Sequence, residues 1–250
     1  MISKNYGGNT IRVFNKLNKD FNFKGKNYKY FFLILKKDEI KTIKLNYFTI
    51  YILKKDKNAE LIINKKKFNL KKDDCINFYN CNLSSIFSKR GKIEILVSGV
   101  TKKTKKKSST NIIKSKKIYT VNKPWGNEKW LNGRGKYYAF KKIFLKSSFK
   151  TSLQYHRFKA ETNLLYKGKA QLVYKKNNKI KNNLVKNKDM KKRNLKPISE
   201  IYVRPKILHR IIALSNINLF ETSTPYLDDV IRVADDVNRP SGLIKSEHKH

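Results

Sequence analysis

Cysteine is scarce in this chain of 250 residues, which contains Cys75 and Cys81 and no others. A zinc site built from cysteines needs a second pair, and the sequence does not supply one. We therefore predict two unpaired thiols in a reducing compartment. A single disulfide between them is the alternative.

Long apolar runs are also missing. None approaches the roughly 18 residues that a membrane span requires, and the N-terminus has no signal-peptide pattern. The longest apolar segments, Tyr30–Leu35 and Tyr47–Leu53, have the length of buried strands. We expect a soluble, cytoplasmic protein without a membrane partner.

Acidic residues are few, and arginine is rare among the basic ones. The chain has 59 Lys and Arg against 18 Asp and Glu, so its formal net charge is +41, yet only nine of the basic residues are Arg. A dedicated nucleic-acid binder would use more arginine, whose planar fork reads phosphate and guanine in bidentate fashion. The abundant Lys, Asn and Ile are typical of drift in an A/T-rich genome. We predict a solvated surface and no specific nucleic-acid partner; an arginine-poor binder with strongly salt-dependent affinity is the alternative.

Helical periodicity over eleven or more residues is essentially absent, and short β-branched and aromatic segments alternate with polar turns. This pattern predicts an all-β fold, either a sandwich or a barrel. Two strand-rich blocks, 1–105 and 119–250, are separated by a Lys-rich segment, 106–118, that we predict to be a linker. A Lys/Asn-rich stretch between Lys175 and Lys196 predicts a long hairpin loop or an irregular insertion. A weak internal repeat suggests that the first block is a degenerate copy of the second.

Histidine is rare as well, and two of the four histidines stand among the last three residues. Of the other two, His156 is two positions after Gln154, so both side chains project from one face of a strand. Glu161 follows after a short polar bend, and His209 comes four residues after Pro205. Two imidazoles, a carboxylate and an amide oxygen suit zinc, manganese, iron or cobalt. Taken singly, each histidine could instead be an ordinary strand residue.

Several elements in the second block together resemble the cupin-type mannose-6-phosphate isomerases (type II). These are Pro124-Trp125-Gly126, Lys141-Lys142-Ile143, Ser152-Leu153-Gln154-Tyr155-His156 with Glu161, Pro205 with His209-Arg210, and Asp228-Asp229-Val230-Ile231-Arg232 with Asp235, Asp236 and Arg239. The resemblance covers about Lys123 to Arg239, and Gln-x-His-x4-Glu is its most specific part. It implies a double-stranded β-helix barrel, a metal held by Gln154, His156, Glu161 and His209, and interconversion of an aldose and a ketose 6-phosphate. The first block would then be a degenerate second cupin, making the chain a bicupin.

Further residues are candidates for catalysis or substrate binding. Glu221 would be the general base, Lys141 would bind phosphate or move a proton, and Arg232 would bind phosphate or stabilise an enediolate. Substrate-binding candidates are Trp125, Tyr155 and Arg239. The structural alternatives are aromatic core packing, a buried carboxylate, and Asp–Arg bridging that fixes the C-terminal tail.

We therefore expect a metal-dependent isomerase, with zinc as the metal, that interconverts mannose 6-phosphate and fructose 6-phosphate through a cis-enediol. The usual glycine is absent between Pro205 and His209, which leaves another sugar phosphate or a nucleotide-sugar precursor open as substrate. A non-catalytic sugar-binding cupin remains an alternative. So does a different cupin enzyme, an epimerase or dioxygenase, of nucleotide-sugar or surface-polysaccharide metabolism. A homodimer is also left open.

Overall fold

The computed structural model describes residues 11–14, 20–24, 28–83, 85–102, 107–133, 135–175, 190–236, 239 and 242–243, with the backbone alone for 11–14 and 20–24. Position 106 of the predicted linker, positions 176–189 of the predicted loop, His248 and His250 lie outside the described residues. Within the described part, no helix is both long enough and apolar enough to cross a membrane.

The first half of the chain forms two antiparallel sheets. Its strands are β1 (Ile11–Phe14), β2 (Asp20–Lys24), β3 (Lys29–Leu35), β4 (Tyr47–Lys55), β5 (Glu60–Ile63), β6 (Lys66–Phe68), β7 (Cys75–Tyr79), β8 (Ile86–Lys89), β9 (Ile93–Val100) and β10 (Ser109–Ile113). One sheet has the order β10-β7-β4-β9-β3-β2 and the other the order β6-β5-β8. Strand β1 belongs to neither, because it pairs with a strand of the second half.

The second half follows a short 3-10 helix at Ser115–Lys117 and forms two larger sheets. Its strands are β11 (Thr120–Lys123), β12 (Gly126–Trp130), β13 (Ala139–Leu145), β14 (Leu153–His156), β15 (Glu161–Lys167), β16 (Ala170–Lys175), β17 (Lys191–Leu195), β18 (Ser199–Val203), β19 (Leu208–Ala213), β20 (Ile217–Ser223), β21 (Val230–Ala234) and β22 (Gly242–Leu243). The first sheet has the order β1-β18-β15-β20-β13-β12-β11, and the second has the order β17-β16-β19-β14-β21-β22. The all-β prediction is confirmed.

Each half encloses its own apolar core between its two sheets. In the second half, Leu145 and Leu219 of the seven-stranded sheet and Leu172 and Ala213 of the six-stranded sheet belong to one buried cluster. These side chains come from inward positions of their strands, because successive residues of a strand point to opposite faces. The outward face of the six-stranded sheet is left for solvent.

A third apolar cluster joins the two halves. It is formed by the outer face of the seven-stranded sheet, with Phe140 and Phe220, and by the larger sheet of the first half, with Tyr51 and Leu96. All eight residues of β9 are buried because both faces of this strand are covered. Continuous apolar runs, rather than alternating ones, are the sequence pattern of strands covered on both faces.

Polar contacts supplement this interface. The Lys142 ammonium donates to the Tyr51 hydroxyl at 2.9 Å and to Oδ1 of Asp73 at 3.0 Å. Across the same boundary, the hydroxyls of Tyr28 and Thr162 are 2.8 Å apart. The two halves are therefore held together by aromatic packing and by side-chain hydrogen bonds.

The structure corrects part of the linker prediction. Ser109–Ile113 is a strand that pairs antiparallel with Cys75–Tyr79 and forms an edge of the first half's larger sheet. Its side chains are almost all exposed, so the segment lacks the apolar signal by which a strand is recognised. Edge strands often carry lysine and other polar residues that discourage pairing with another chain. The division into domains at 1–105 and 119–250 stays a prediction.

Candidate metal centre

Strand register brings the predicted metal ligands to one cavity. Gln154 of β14 is the antiparallel partner of His209 on β19, while Glu161 opens β15 in the facing sheet. All four predicted ligands line the same cavity, and ligand atoms of His156, Glu161 and His209 lie within 4.8 Å of one another. We call these three residues the triad. The role of Gln154 as a fourth ligand stays a prediction.

The Glu161 carboxylate links the two imidazoles of the triad. Its Oε1 lies 3.1 Å from Nε2 of His209 and accepts a hydrogen bond from the Asn163 amide at 3.0 Å. Its Oε2 lies 3.4 Å from Nε2 of His156. Burial alone would raise the pKa of Glu161, but the Lys159 ammonium and the two imidazoles outweigh burial and hold the pKa well below its ordinary value. Glu161 is therefore a carboxylate anion inside the barrel.

His156 is oriented from behind by Asp229, whose Oδ1 lies 3.0 Å from Nδ1 of the imidazole. The other oxygen of Asp229 accepts the backbone N–H groups of Phe158 at 2.6 Å and Lys159 at 2.8 Å. Burial would raise the pKa of Asp229, but the contact with His156 and these N–H groups lower it. Bridging to arginines was one of the alternatives for the aspartates of this region. For Asp229 the partners are instead an imidazole and two amides.

His209 has one nitrogen committed to the backbone. Its Nδ1 donates to the carbonyl oxygen of Ile207 at 2.9 Å, which leaves Nε2 directed at Glu161. Burial would lower the pKa of His209, but the contact with the Glu161 carboxylate outweighs burial and raises it. Both imidazoles thus present Nε2 to the centre of the triad, each fixed through its Nδ1.

One atom of the triad is especially suited to be a metal ligand. Nε2 of His156 is buried and has no hydrogen-bond partner within the part of the chain that the structure describes. A buried polar atom without a partner is costly, and most such atoms in folded proteins are satisfied. Metal-ligating histidines commonly donate their other N–H to a carboxylate or a carbonyl, as both histidines do here. With two imidazoles and a carboxylate, the triad can hold a divalent metal.

A buried lysine beside the triad was missed by sequence reasoning. The Lys159 ammonium lies 2.7 Å from Oε2 of Glu161 and 2.7 Å from Oε1 of Glu221. Burial would lower the pKa of Lys159, but these two carboxylates outweigh burial and raise it, so the side chain stays charged. Lys159 is one of fifty lysines, and nothing in the sequence distinguishes it.

Lys159 is part of a line of alternating charges, which we call the charged row: Glu161, Lys159, Glu221, Lys141 and Glu128. Lys141 and Glu221 are partners on neighbouring strands, with their charged atoms 4.0 Å apart. The Lys141 ammonium also lies 3.4 Å from Oε2 of Glu128. Burial would raise the pKa of Glu221, but Lys141 and Lys159 lower it. Glu221 is thus an ionised carboxylate between two ammonium groups.

Comparison with known protein families identifies the chain. The family described as "Mannose-6-phosphate isomerase C-terminal" matches residues 107–235. The chain belongs to this family. No curated protein matches the sequence.

Solved structures resemble this member of the family in fold. Oxalate decarboxylase OxdC of Bacillus subtilis, in a variant form, has a TM-score of 0.60 at 11% identity over 90% of this chain and 79% of its own. Oxalate decarboxylase of Lactobacillus farciminis in a formate complex gives 0.57 at 9% identity, covering 87% and 89%. AerE from Microcystis aeruginosa gives 0.58 at 10% identity, covering 86% and 97%. At these identities the likeness concerns the fold, and it confirms tandem cupin barrels.

Beside the cavity, two arginines donate hydrogen bonds to one hydroxyl. Nη2 of Arg239 donates to Oγ of Ser152 at 2.8 Å, and Nε of Arg232 donates to the same oxygen at 3.2 Å. Arg239 also binds Asp235 at 2.6 Å, so Asp–Arg bridging does occur here. Arg239 and Ser152 line the cavity, whereas Arg232 is not among its lining residues. Arg232 is buried and supports Ser152, and its predicted role at the substrate stays a prediction.

The two aromatic candidates have different positions. Trp125 is buried and lines the cavity. Tyr155 does not line it, because Tyr155 lies between Gln154 and His156 on β14 and alternation turns its side chain to the opposite face. Tyr155 as a wall for the sugar stays a prediction, and this placement does not support it. The cavity holds about 80 Å³, which is the share of two or three waters in the liquid.

Proposed function

We propose that this chain is a metal-dependent sugar-phosphate isomerase that interconverts mannose 6-phosphate and fructose 6-phosphate. One observation carries the proposal: an ionised carboxylate, Glu221, lies between the Lys141 and Lys159 ammonium groups in the cavity that also holds the triad. Aldose–ketose isomerisation needs such a base, and it needs positive charge where negative charge develops on oxygen. Membership in the family is the second support.

In the proposed reaction, Glu221 removes the proton from C2 of the aldose. The electron pair of the C–H bond forms the C1–C2 double bond of a cis-enediol intermediate, while the π pair of the C1–O1 carbonyl moves to O1. The Lys141 and Lys159 ammonium groups stabilise the negative charge that develops on the substrate oxygens. The hydroxyl proton on O2 moves to O1, an electron pair of O2 then forms the C2–O2 carbonyl, and the C1–C2 π pair takes the proton back from the Glu221 carboxyl at C1. No atom is gained or lost, and the product is the ketose.

A bound divalent metal, which we propose to be zinc held by Gln154, His156, Glu161 and His209, would supply Lewis acidity that polarises the substrate carbonyl. The remaining roles belong to residues of the protein. Asp229 and the Ile207 carbonyl fix the two imidazoles, and the charged row keeps the base ionised.

The phosphate is proposed to bind at the mouth of the cavity. The free volume of the cavity is about 80 Å³, so we place the phosphate at Arg239, whose side chain is 20% exposed. Arg239 and Ser152 both line the cavity and are hydrogen-bonded to each other, and a guanidinium is suited to bidentate recognition of a phosphate. Trp125 lines the same cavity and would pack against the sugar.

The test is turnover by the purified protein loaded with zinc or manganese. Mannose 6-phosphate is incubated in D2O, and NMR follows both the formation of fructose 6-phosphate and the entry of deuterium at the carbons that exchange protons. We expect both signals, and a Glu221→Gln variant should lose at least about 100-fold in kcat while still binding metal. Glu60→Gln, which changes a carboxylate of the first half remote from the cavity, is the matched control.

Two results would contradict the proposal. Metal-loaded protein without turnover on any sugar phosphate of a broad panel would leave a binding cupin instead of an isomerase. Unchanged kcat in Glu221→Gln would remove Glu221 as the base. A cytoplasmic location, in keeping with the free thiols of Cys75 and Cys81, and a homodimer also remain proposals.

A further inference from the structure

Lys159 has an unusual position for a buried cation. Its ammonium is in direct contact with Glu161, a member of the triad, and with Glu221 at equal distances of 2.7 Å. The side chain is 5% exposed. It is placed there by the turn between β14 and β15, whose amides are held by Asp229. A lysine so close to a metal-binding carboxylate opposes the binding of a metal cation by electrostatic repulsion.

The position also has a stabilising consequence. Burying a carboxylate without a compensating charge is strongly unfavourable, and Glu161 and Glu221 are both buried. Lys159 is the cation that contacts both of them, whereas Lys141 lies near Glu221 and Glu128. Removing the charge of Lys159 would leave the Glu161 carboxylate in contact with the two imidazoles and the Asn163 amide.

We propose that Lys159 is an internal counter-ion of the metal site, which holds Glu161 in place in the metal-free protein and weakens the binding of a divalent cation. Lys159 thereby lowers the free-energy cost of burying Glu161 without metal. The triad is therefore already assembled in the metal-free protein. The inference rests on the triad as a metal site and does not depend on the isomerase reaction.

The experiment compares metal binding by wild type, Lys159→Met and Lys159→Arg, without substrate. Metal-free proteins are titrated with Mn²⁺ in a calorimeter, and thermal unfolding is recorded with and without Mn²⁺. Lys159→Met should bind Mn²⁺ at least about tenfold more tightly, because a unit charge a few ångströms from a buried divalent cation is removed. Its metal-free Tm should fall, and Mn²⁺ should raise its Tm more than that of wild type.

Two controls separate charge from packing. Lys159→Arg keeps the charge and should stay within a few-fold of wild-type affinity. Lys141→Met removes a buried cation of the same charged row that pairs with Glu128 and Glu221, and it should tighten binding less than Lys159→Met. If Lys159→Met is folded only with metal, the rate of Mn²⁺ loss to excess chelator replaces the titration, and loss slower than in wild type is expected.

Equal or weaker Mn²⁺ binding by folded Lys159→Met, or faster loss to the chelator, would overturn the inference. If Lys159→Met gains affinity but neither protein turns over a sugar phosphate, the counter-ion role stands and the isomerase proposal falls. If no variant binds any divalent metal, the triad itself is not a metal site and both proposals fail.

Discussion

Oδ1 of Asp229 lies 3.0 Å from Nδ1 of His156. The same carboxylate accepts the amides of Phe158 and Lys159 through its other oxygen. One side chain therefore orients a member of the triad and fixes the turn that carries the internal lysine. A sequence pattern of paired aspartates gives no hint of this double contact, since Asp228 next to it is exposed.

Asp229→Asn should lower the affinity for a divalent metal by about 10- to 100-fold, the range typical of changes to groups that orient metal ligands. The amide keeps the shape of the side chain but loses the charge that fixes the imidazole. Calorimetric titration with Mn²⁺ measures the change. Asp228→Asn is the control and should bind like wild type; equal affinity in both variants would show that Asp229 does not support the metal.

Arg239→Ala should raise the KM for a sugar phosphate at least tenfold while leaving metal affinity within about twofold. The expected loss reflects a charge-assisted contact to phosphate at the mouth of the cavity. Arg210→Ala is the matched control, because Arg210 pairs with Asp236 and does not line the cavity. A KM that rises equally in both variants would argue against a phosphate site at Arg239.

Glu200→Gln should stabilise the protein at neutral pH. Burial raises the pKa of Glu200 well above its ordinary value of 4.5, and neither carboxyl oxygen has a hydrogen-bond partner among the described residues. The folded state therefore binds a proton that the unfolded state releases, so wild-type stability falls as pH rises above 4.5 towards the folded-state pKa. Below pH 4.5 the carboxyl is protonated in both the folded and the unfolded state, so this loss of stability is absent.

Urea unfolding of wild type and Glu200→Gln at several pH values tests this sign. The advantage of the variant should grow as pH rises from about 4 to 7. Glu60→Gln should show the opposite pH dependence and become less stable relative to wild type as pH rises, because the contact with Lys67 lowers the pKa of Glu60. An advantage of Glu200→Gln that does not change with pH would contradict the assignment of a neutral carboxyl.

Phe220→Ala should cost about 3 to 5 kcal/mol of the free energy of unfolding, as truncation of a buried phenylalanine usually does. Phe220 lies at the interface between the halves, with ring centroids 5.2 Å from Tyr51 and 6.0 Å from Tyr166. Urea unfolding measures the loss. Leu214→Ala, at an exposed position, should change stability by less than about 0.5 kcal/mol, and a similar cost at both positions would contradict the tight interface.

The sequence predicted the all-β fold from local rules, whereas the meeting of His156, Glu161 and His209 in one cavity was predicted with the help of a family resemblance. Strand alternation puts Gln154 and His156 on one face, and apolar runs indicate covered strands. What it missed depends on contacts between distant segments. Lys159 could not be distinguished from other lysines until the fold brought Glu161 and Glu221 around it.

One other miss has the same origin. Ser109–Ile113 was taken for a linker, because an exposed edge strand needs only backbone partners and carries no apolar signal. Backbone pairing between remote segments is invisible in a local pattern.

Strand β1 is the first described segment of the chain, yet it is hydrogen-bonded to β18, with Ile11 opposite Val203. During synthesis, nearly two hundred further residues must be translated before the partner strand β18 leaves the ribosome. A fragment that begins at residue 107 would contain the second barrel without β1. The backbone edge of β18 that pairs with β1 would then be exposed. Such an open strand invites pairing with another molecule, so the isolated barrel should aggregate where the complete chain does not.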